Sequence, residues 1–326
     1  MSISRSHKSL RLNLLAGELV EVRSRGEILA TLDASGRLDG LPFMPEMLEY
    51  CGRRVRVFKR ADKSCDTIEG TGARRMFDTV HLEGLRCTGQ AHGGCGALCL
   101  LFWKEAWLSR VESRASKVPP SSVCTEGALS RATRSAEFPN GIDPEGHEVF
   151  SCQATELRNA TDYMPWWNVT QYIRDLTSRN ITLPVLIKGL AIGIFNTIQR
   201  RRRGGTYPFL HGTQATTPTA TLDLVVGEPV KVKSKAEIFD TLNVACRNRG
   251  LLFDVEMLRY CGGQFTVISR PERIINEKTG RLIPLNNCVV LDGATCVGNL
   301  SSHPNRLFCP RSIYAYWREV WLERPE

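Results

Sequence analysis

The sequence has no long uninterrupted hydrophobic run. Its most apolar segment is Leu183–Ile198, which Pro184 and Lys188 interrupt, whereas spanning a bilayer takes about 20 predominantly apolar residues. The segment Met1–Asn13 is polar and basic and lacks the apolar stretch of a secretory leader. We therefore expect no transmembrane segment and a cytoplasmic protein, in which a reducing environment keeps cysteines as thiols.

Several enzyme signatures are also missing. The chain contains no phosphate-binding loop, no dinucleotide fingerprint, no His-Glu-x-x-His pair and no Ser-His-Asp signature. Any acid–base chemistry must come from scattered side chains, for which helix capping or ion pairing is the more ordinary role. These candidates are Glu46, Glu256, Glu105, Glu319, His81 and His92.

Acidic residues are outnumbered by basic ones. The 326 residues include 43 Lys and Arg against 34 Asp and Glu, which gives a formal net charge of +9. This balance favours an acidic partner such as nucleic acid or anionic lipid headgroups, with a solvated basic surface as the alternative. One basic stripe occurs in the first part of the chain and is not repeated later; it comprises Arg53, Arg54, Arg56, Lys59, Arg60 and Lys63.

What the chain does contain is an internal duplication. Shifted by 210 residues, Leu12–Arg60 overlays Leu222–Arg270 without a gap, and about 23 of the 49 paired residues are identical. Repeat arrays recur about every 20–50 residues, so this spacing predicts two related modules and not a solenoid. We place the modules at residues 1–110 and 222–326.

Local patterns predict that the modules are rich in β-structure. Glu18–Ser24 and its counterpart Glu228–Ser234 alternate polar and apolar residues, as half-buried strands do. Short strands with glycine-rich turns are typical of a small barrel or curled sheet. The expected fold class is α+β, with two homologous small β-barrel-like modules flanking a helical middle segment.

Between the modules, composition predicts three segments. Residues 111–150 are rich in Ser, Arg and Pro and are expected to form a flexible linker, residues 151–205 a helical segment, and residues 206–221 a connector. In the predicted helix 184–200, Leu186, Leu190, Ile194 and Ile198 fall on one stripe. This stripe is expected to pack against its own protein, or else against a partner protein or a membrane surface.

The twelve cysteines are the main candidates for chemistry. Each copy keeps three equivalent ones, and thiolates are soft donors suited to zinc or iron–sulfur clusters. No Cys-x2-Cys pair occurs, so buried core thiols are the alternative. The candidate ligands are Cys51, Cys65, Cys87, His92, Cys95 and Cys99 in copy one, and Cys261, Cys288, Cys296, His303 and Cys309 in copy two.

These features support two main functional hypotheses. The first is a tandem binding protein stabilised by zinc or iron–sulfur, with an acidic partner. The alternative is a metalloenzyme or redox accessory protein that uses cysteine-ligated iron–sulfur, zinc or haem, because three kept cysteines fit a metal with an open position. The pair Cys309-Pro310 resembles short haem-responsive motifs. An exported disulfide protein would need a cleavable leader.

Two resemblances accompany these patterns. The opening Gly-Glu-x-Val-x-Val, at Gly17–Val22 and Gly227–Val232, resembles SH3- or KOW-type small barrels. Across most of its length the chain is also similar to a set of uncharacterised bacterial proteins with Cys-containing repeats. That similarity rests on Tyr260–Gly262, Phe308–Arg311 and Tyr316–Glu319. It implies a bacterial cytosolic protein and no particular activity.

Overall fold

The computed structural model describes residues 11–70, 72–111, 124–300 and 307–325. These residues form two compact units. Unit 1 comprises the described residues within Met1–Thr182, Ile275–Ile283 and Cys309–Arg311, and unit 2 those within Leu183–Ile274, Pro284–Phe308 and Ser312–Glu326. The fold class is α+β: each unit contains a curled antiparallel five-stranded sheet and few helices.

Unit 1 is built on ten strands. They are β1 (Leu19–Val22), β2 (Arg37–Leu38), β3 (Leu41–Pro42), β4 (Arg54–Arg60), β5 (Lys63–Cys65), β6 (Ala73–Arg75), β7 (Thr79–Arg86), β8 (Leu100–Lys104), β9 (Leu108–Arg110) and β10 (Asp162–Met164). The large sheet has the order β8-β7-β4-β1-β9, and β10-β6-β5 form a smaller sheet. Register shifts between Val57 and Lys59 and between His81 and Arg86 interrupt the ladders and increase the curl.

The second five-stranded sheet has the corresponding order, β18-β17-β14-β11-β19. The strands of this part of the chain are β11 (Pro229–Val232), β12 (Arg247–Asn248), β13 (Leu251–Leu252), β14 (Gln264–Ser269), β15 (Arg273–Ile275), β16 (Leu282–Pro284), β17 (Cys288–Thr295), β18 (Tyr314–Arg318) and β19 (Leu322–Glu323). Strands β12 and β13 pair with each other, as do β15 and β16. The strands predicted from alternating residues at Glu18–Ser24 and Glu228–Ser234 are confirmed as β1 and β11.

Helices are short except for one. The α-helices are α1 (Arg25–Leu29), α2 (Glu126–Ala132), α3 (Thr170–Thr177), α4 (Leu183–Arg201) and α5 (Lys235–Phe239). Ser24 and Ser234 begin α1 and α5 with the same capping box, in which the serine and the third helical residue, Glu27 or Glu237, bond each other's backbone. Among the described residues no helix is both long and apolar enough to cross a membrane.

The described middle of the chain contains helices and one strand. Within residues 124–150, α2 is present, and Leu129 and Phe150 are buried. Residues 151–205 include the strand β10, and α3 belongs to unit 1 whereas α4 belongs to unit 2. The composition of residues 111–150 is polar, but a few apolar side chains suffice to fold the described part onto unit 1.

Edge-to-face aromatic packing forms the centre of each sheet. Trp103 and Trp107 in unit 1, and Trp317 and Trp321 in unit 2, are fully buried. The ring of Phe43 lies 5.0 Å from that of Trp107 at 86°. In unit 2, Phe253 lies 5.2 Å from Trp321 at 77°. Such pairs stabilise a core by about 0.5–1.5 kcal/mol beyond the buried area. The Trp-x3-Trp spacing places both rings of a pair on one face of a helix or a strand and predicts core residues, which the burial confirms.

A buried carboxylate holds the segment before the first strand of each sheet. Glu105 is fully buried and accepts hydrogen bonds from the backbone N–H groups of Leu12, Asn13 and Leu14 at 2.7–2.9 Å. Arg60 donates to the same carboxylate at 2.6 Å. In unit 2, Glu319 is likewise fully buried and accepts from Arg270 at 2.6 Å and from two backbone N–H groups.

The substitution Glu105→Gln is expected to lower the free energy of unfolding of unit 1 by about 1.5–3 kcal/mol, because a neutral amide oxygen replaces the anion that accepts from the backbone N–H groups. Arg60 keeps its second ion pair, with Asp62. Urea unfolding followed by tryptophan fluorescence measures the change. The control is Glu21→Gln, which breaks the exposed pair with Arg54 and is expected to cost less than about 1 kcal/mol. Equal losses in the two variants would contradict the role of Glu105.

Candidate metal centre

Three side chains from different parts of unit 1 converge at the end of β7. Glu46 lies in the first turn of the 3-10 helix Pro45–Tyr50, and Cys87 follows β7 directly. His92 lies in the turn that leads from Cys87 to β8, where Gly89 accepts the N–H groups of His92 and Gly94. Gly89 has a φ of +73°, and a Cβ there would lie 2.0 Å from the carbonyl oxygen of Cys95, so the turn requires glycine.

The distances among these side chains are those of ligands around one ion. The Sγ atom of Cys87 lies 3.3 Å from Glu46 Oε1 and 3.5 Å from His92 Nε2. The ligand atoms of the three residues all lie within 4.8 Å of one another. Bond lengths of about 2.0–2.3 Å in a tetrahedral zinc site place ligand atoms about 3.3–3.6 Å apart. The cluster needs little movement to reach that geometry.

Burial leaves polar atoms of the cluster without partners. The side chains of His92 and Glu46 are 2% and 8% exposed. Glu46 Oε2 and His92 Nδ1 are buried and have no hydrogen-bond partner. An unsatisfied buried polar group costs about 1–3 kcal/mol, so two of them in one cluster call for an explanation such as an ion.

Desolvation also governs protonation in this cluster. Burial lowers the pKa of His92, although the Glu46 carboxylate opposes that shift. Burial raises the pKa of Cys87 far above its ordinary range, and Cys99 and Glu46 add to the shift. Without a cation the imidazole is therefore neutral and the thiol protonated near neutral pH. A bound cation would favour the deprotonated form of Cys87, because it stabilises the thiolate.

A pocket adjoins the cluster and carries further thiols. Its cavity volume is about 40 Å³, and Phe102 and Gln153 contribute to its wall. Four of its lining residues are cysteines: Cys87, Cys95, Cys99 and Cys152. Burial raises the pKa values of Cys99 and Cys152 to about 12. Gln153 braces the wall, since its side-chain amide accepts from Phe102 N and donates to the carbonyl oxygens of Phe102 and Pro42.

Cys65 and Cys309 form a second contact between thiols in unit 1. The backbone N–H of Cys65 donates to Cys309 Sγ at 3.2 Å. A hydrogen bond with Cys309, followed by burial, raises the pKa of the Cys65 thiol. We expected Cys309 to act with the copy-two cysteines, but it lies in unit 1. The reason is tertiary: residues 309–311 belong to unit 1 although they lie between β17 and β18 in the chain.

The remaining predicted ligands are not brought into the cluster. Cys51 and Cys261 end the 3-10 helices Pro45–Tyr50 and Val255–Tyr260, and Cys288 lies in β17, where its thiol donates to Asn286 O. Cys296 follows β17, and His303 lies outside the described residues. Within the described ranges, no second group of three ligand atoms lies as close together.

The counterpart of Glu46 has a different environment. Glu256, also buried, accepts hydrogen bonds from the backbone N–H groups of Val297 and Leu300. Those donors satisfy the carboxylate of Glu256, whereas the equivalent carboxylate of Glu46 faces Cys87 and His92. The sequence predicted Glu46 as an acid–base candidate, with helix capping or ion pairing as the more ordinary role, and not as a metal ligand. The available signal was that both copies keep it, while His92-Gly93-Gly94 occurs only in copy one.

Other candidates have structural roles. His81 is fully buried, and its Nδ1–H donates to Leu101 O at 2.9 Å. Burial lowers the pKa of His81 to about 3. Two members of the predicted basic stripe are also buried in ion pairs, Arg60 with Glu105 and Lys63 with Asp175. They are not exposed to a polyanion.

Comparisons of the chain with protein-family models, with curated proteins and with solved structures found no match. The resemblances drawn from Gly17–Val22 and from Phe308–Arg311 therefore stay predictions. The geometry of the cluster is the basis for assigning a function.

The buried His81 predicts a pH dependence of stability. Its folded pKa of about 3 lies below the unfolded value of about 6.5, so the unfolded chain binds an extra proton between these values. This contribution is complete above about pH 6.5 and is lost as the pH falls towards 3.

We expect His81→Phe to reduce the slope of unfolding free energy against pH by about 1.4 kcal/mol per unit between about pH 4 and 6. Urea titrations of both proteins at several pH values measure this difference. Parallel slopes for the variant and the unmodified protein would show that His81 is not held neutral.

Proposed function

We propose that this protein binds zinc in unit 1, with Glu46, Cys87 and His92 as ligands. The observation that carries the proposal is the convergence of one ligand atom from each of three side chains within 4.8 Å. It is supported by the burial of the cluster, in which Glu46 Oε2 and His92 Nδ1 have no hydrogen-bond partner and Nδ1 faces Glu46 Oε1 at 4.0 Å. On this proposal the bound zinc ion stabilises unit 1, and the protein is a metal-stabilised binding protein.

The donor set favours zinc in particular. A thiolate, an imidazole and a carboxylate are all ordinary zinc ligands, whereas iron–sulfur clusters are held mainly by thiolates. One thiolate and one carboxylate neutralise the two charges of the ion. A neutral assembly lowers the cost of burial, which is severe for an isolated charge.

Three protein ligands leave one position for a ligand from the adjacent pocket. Closed structural zinc sites have four protein ligands, whereas sites that bind a water or a substrate have three. The adjacent cavity of about 40 Å³ has room for a water at that position. A metalloenzyme is therefore the second functional candidate, since an open zinc ion can activate a bound water.

We expect the purified chain to contain about one zinc ion, and expect Glu46→Gln, Cys87→Ser and His92→Gln each to weaken zinc binding by more than about 100-fold. Inductively coupled plasma mass spectrometry gives the stoichiometry, and competition with a chromogenic chelator gives the affinity. Chelation should also lower the midpoint of thermal unfolding, because the ion binds only the folded state.

Glu256→Gln is the matched control, since it changes an equally buried carboxylate whose partners are backbone N–H groups. It should leave zinc affinity unchanged, and circular dichroism identifies any variant that fails to fold. Loss of zinc from Glu256→Gln, or retention by Cys87→Ser, would refute the assignment.

An iron–sulfur cluster is a second candidate for the metal because Cys87, Cys95, Cys99 and Cys152 all line one pocket. We expect anaerobically purified protein to be colourless, with no charge-transfer absorption in the visible range. A brown protein that loses its colour on Cys99→Ser or Cys152→Ser substitution would favour the cluster over zinc.

We also infer that the two five-stranded sheets descend from one duplicated module. The inference is supported by about 23 identities in 49 paired residues and by the corresponding strand orders. The shared capping boxes at Ser24 and Ser234 add to it. On this proposal one copy holds the ion, and in the other copy backbone donors replace it at the equivalent carboxylate.

A further inference from the structure

The helix α4 exposes an apolar face. Its exposed large side chains are 40–62% exposed and comprise Leu183, Ile187, Ile194, Phe195 and Ile198. Surface helices normally direct polar side chains outwards, and contiguous exposed apolar patches mark interaction sites. The face therefore requires a partner.

Contacts on the opposite side fix the orientation of this face. A Cβ at Gly189 would lie 2.5 Å from the ring of Phe308, and one at Gly193 would lie 3.2 Å from Leu307, so these glycines allow close packing. Asn196 is buried and its side chain both donates to Tyr207 O, at 2.9 Å, and accepts from Tyr207 N, at 2.7 Å. The helix cannot turn its exposed face inwards without breaking these contacts.

The charge around the helix has one sign. Between Asp175 and Asp223 the sequence contains no Asp or Glu. The same stretch contains six cations: Arg179, Lys188 and the four arginines Arg200, Arg201, Arg202 and Arg203. Tyr207 and Phe209, which follow the arginines, are 41% and 53% exposed. Apolar, basic and aromatic residues thus follow one another along this stretch of the chain, and the ring of Phe209 lies 6.4 Å from that of Phe195 on the helix.

We propose that the exposed face of α4 docks on the surface of an anionic phospholipid bilayer. In this arrangement the helix lies in the plane of the interface, its isoleucines and Phe195 enter the headgroup boundary, and the arginines contact lipid phosphates and carboxylates. Nucleic acid offers the same negative charge but no apolar layer to cover the isoleucines. The proposal does not depend on the metal centre.

The test is sedimentation of the full-length chain with vesicles of phosphatidylcholine alone or with 30% phosphatidylserine. We expect at least tenfold stronger binding to the anionic vesicles, weakening as salt rises. The double variant Ile187→Ser, Ile194→Ser should reduce that binding about tenfold or more. Arg201→Gln with Arg202→Gln should reduce binding and also its dependence on salt.

Val244→Ser is the matched control, since it removes an 85% exposed apolar side chain outside α4, and it should bind like the unmodified protein. Absence of binding to anionic vesicles would overturn the proposal. So would equal binding to both vesicle types, or a dimer in size-exclusion chromatography that the isoleucine variant dissociates, because a second copy would then cover the face.

Discussion

Each of the two five-stranded sheets depends on one fully buried carboxylate, Glu105 or Glu319. Glu105 and Glu319 each accept backbone N–H groups from the segment before the first strand of their sheet. Each also pairs with an arginine, Arg60 at the end of β4 or Arg270 just after β14. The charge is tolerated because several donors surround it, and those donors in turn require the anion. The tryptophans pack beside this anchor, so the apolar core and the ionic contact depend on each other.

The two units differ in the residues that surround a second buried carboxylate, Glu46 or Glu256. Glu46 and Glu256 begin equivalent 3-10 helices, yet Glu256 meets backbone donors while Glu46 meets a thiol and an imidazole. The difference arises from the loop after the long strand β7 or β17. In unit 1 that loop makes a tight turn at Gly89 and directs His92 inwards. Two sheets with the same strand order thus differ, through one loop, in what surrounds the equivalent carboxylate.

The proposed metal centre and the proposed lipid-facing helix are supported by different kinds of observation. The metal centre depends on close distances and on buried polar atoms that lack partners. The helix depends on apolar exposure together with a long stretch free of acidic residues. Both are departures from the usual rules, in which buried polar groups are satisfied and exposed helical faces are polar. Either departure costs stability in the isolated chain and is relieved when a ligand or a surface is bound.

The sequence alone determined the strands β1 and β11, the buried tryptophans and the repeated pattern, because alternation and identity are local properties that can be read along the chain. It also indicated Cys87 and His92 as ligands. Tertiary structure decided that Glu46 joins them, that Cys152 lines the pocket, and that Cys309 lies beside Cys65 instead of with the later cysteines. These positions depend on how distant segments meet, and spacing along a chain carries no record of that. The sequence also did not determine which face of α4 is exposed. Apolar residues occur on all sides of this helix, so their spacing leaves open which side is covered.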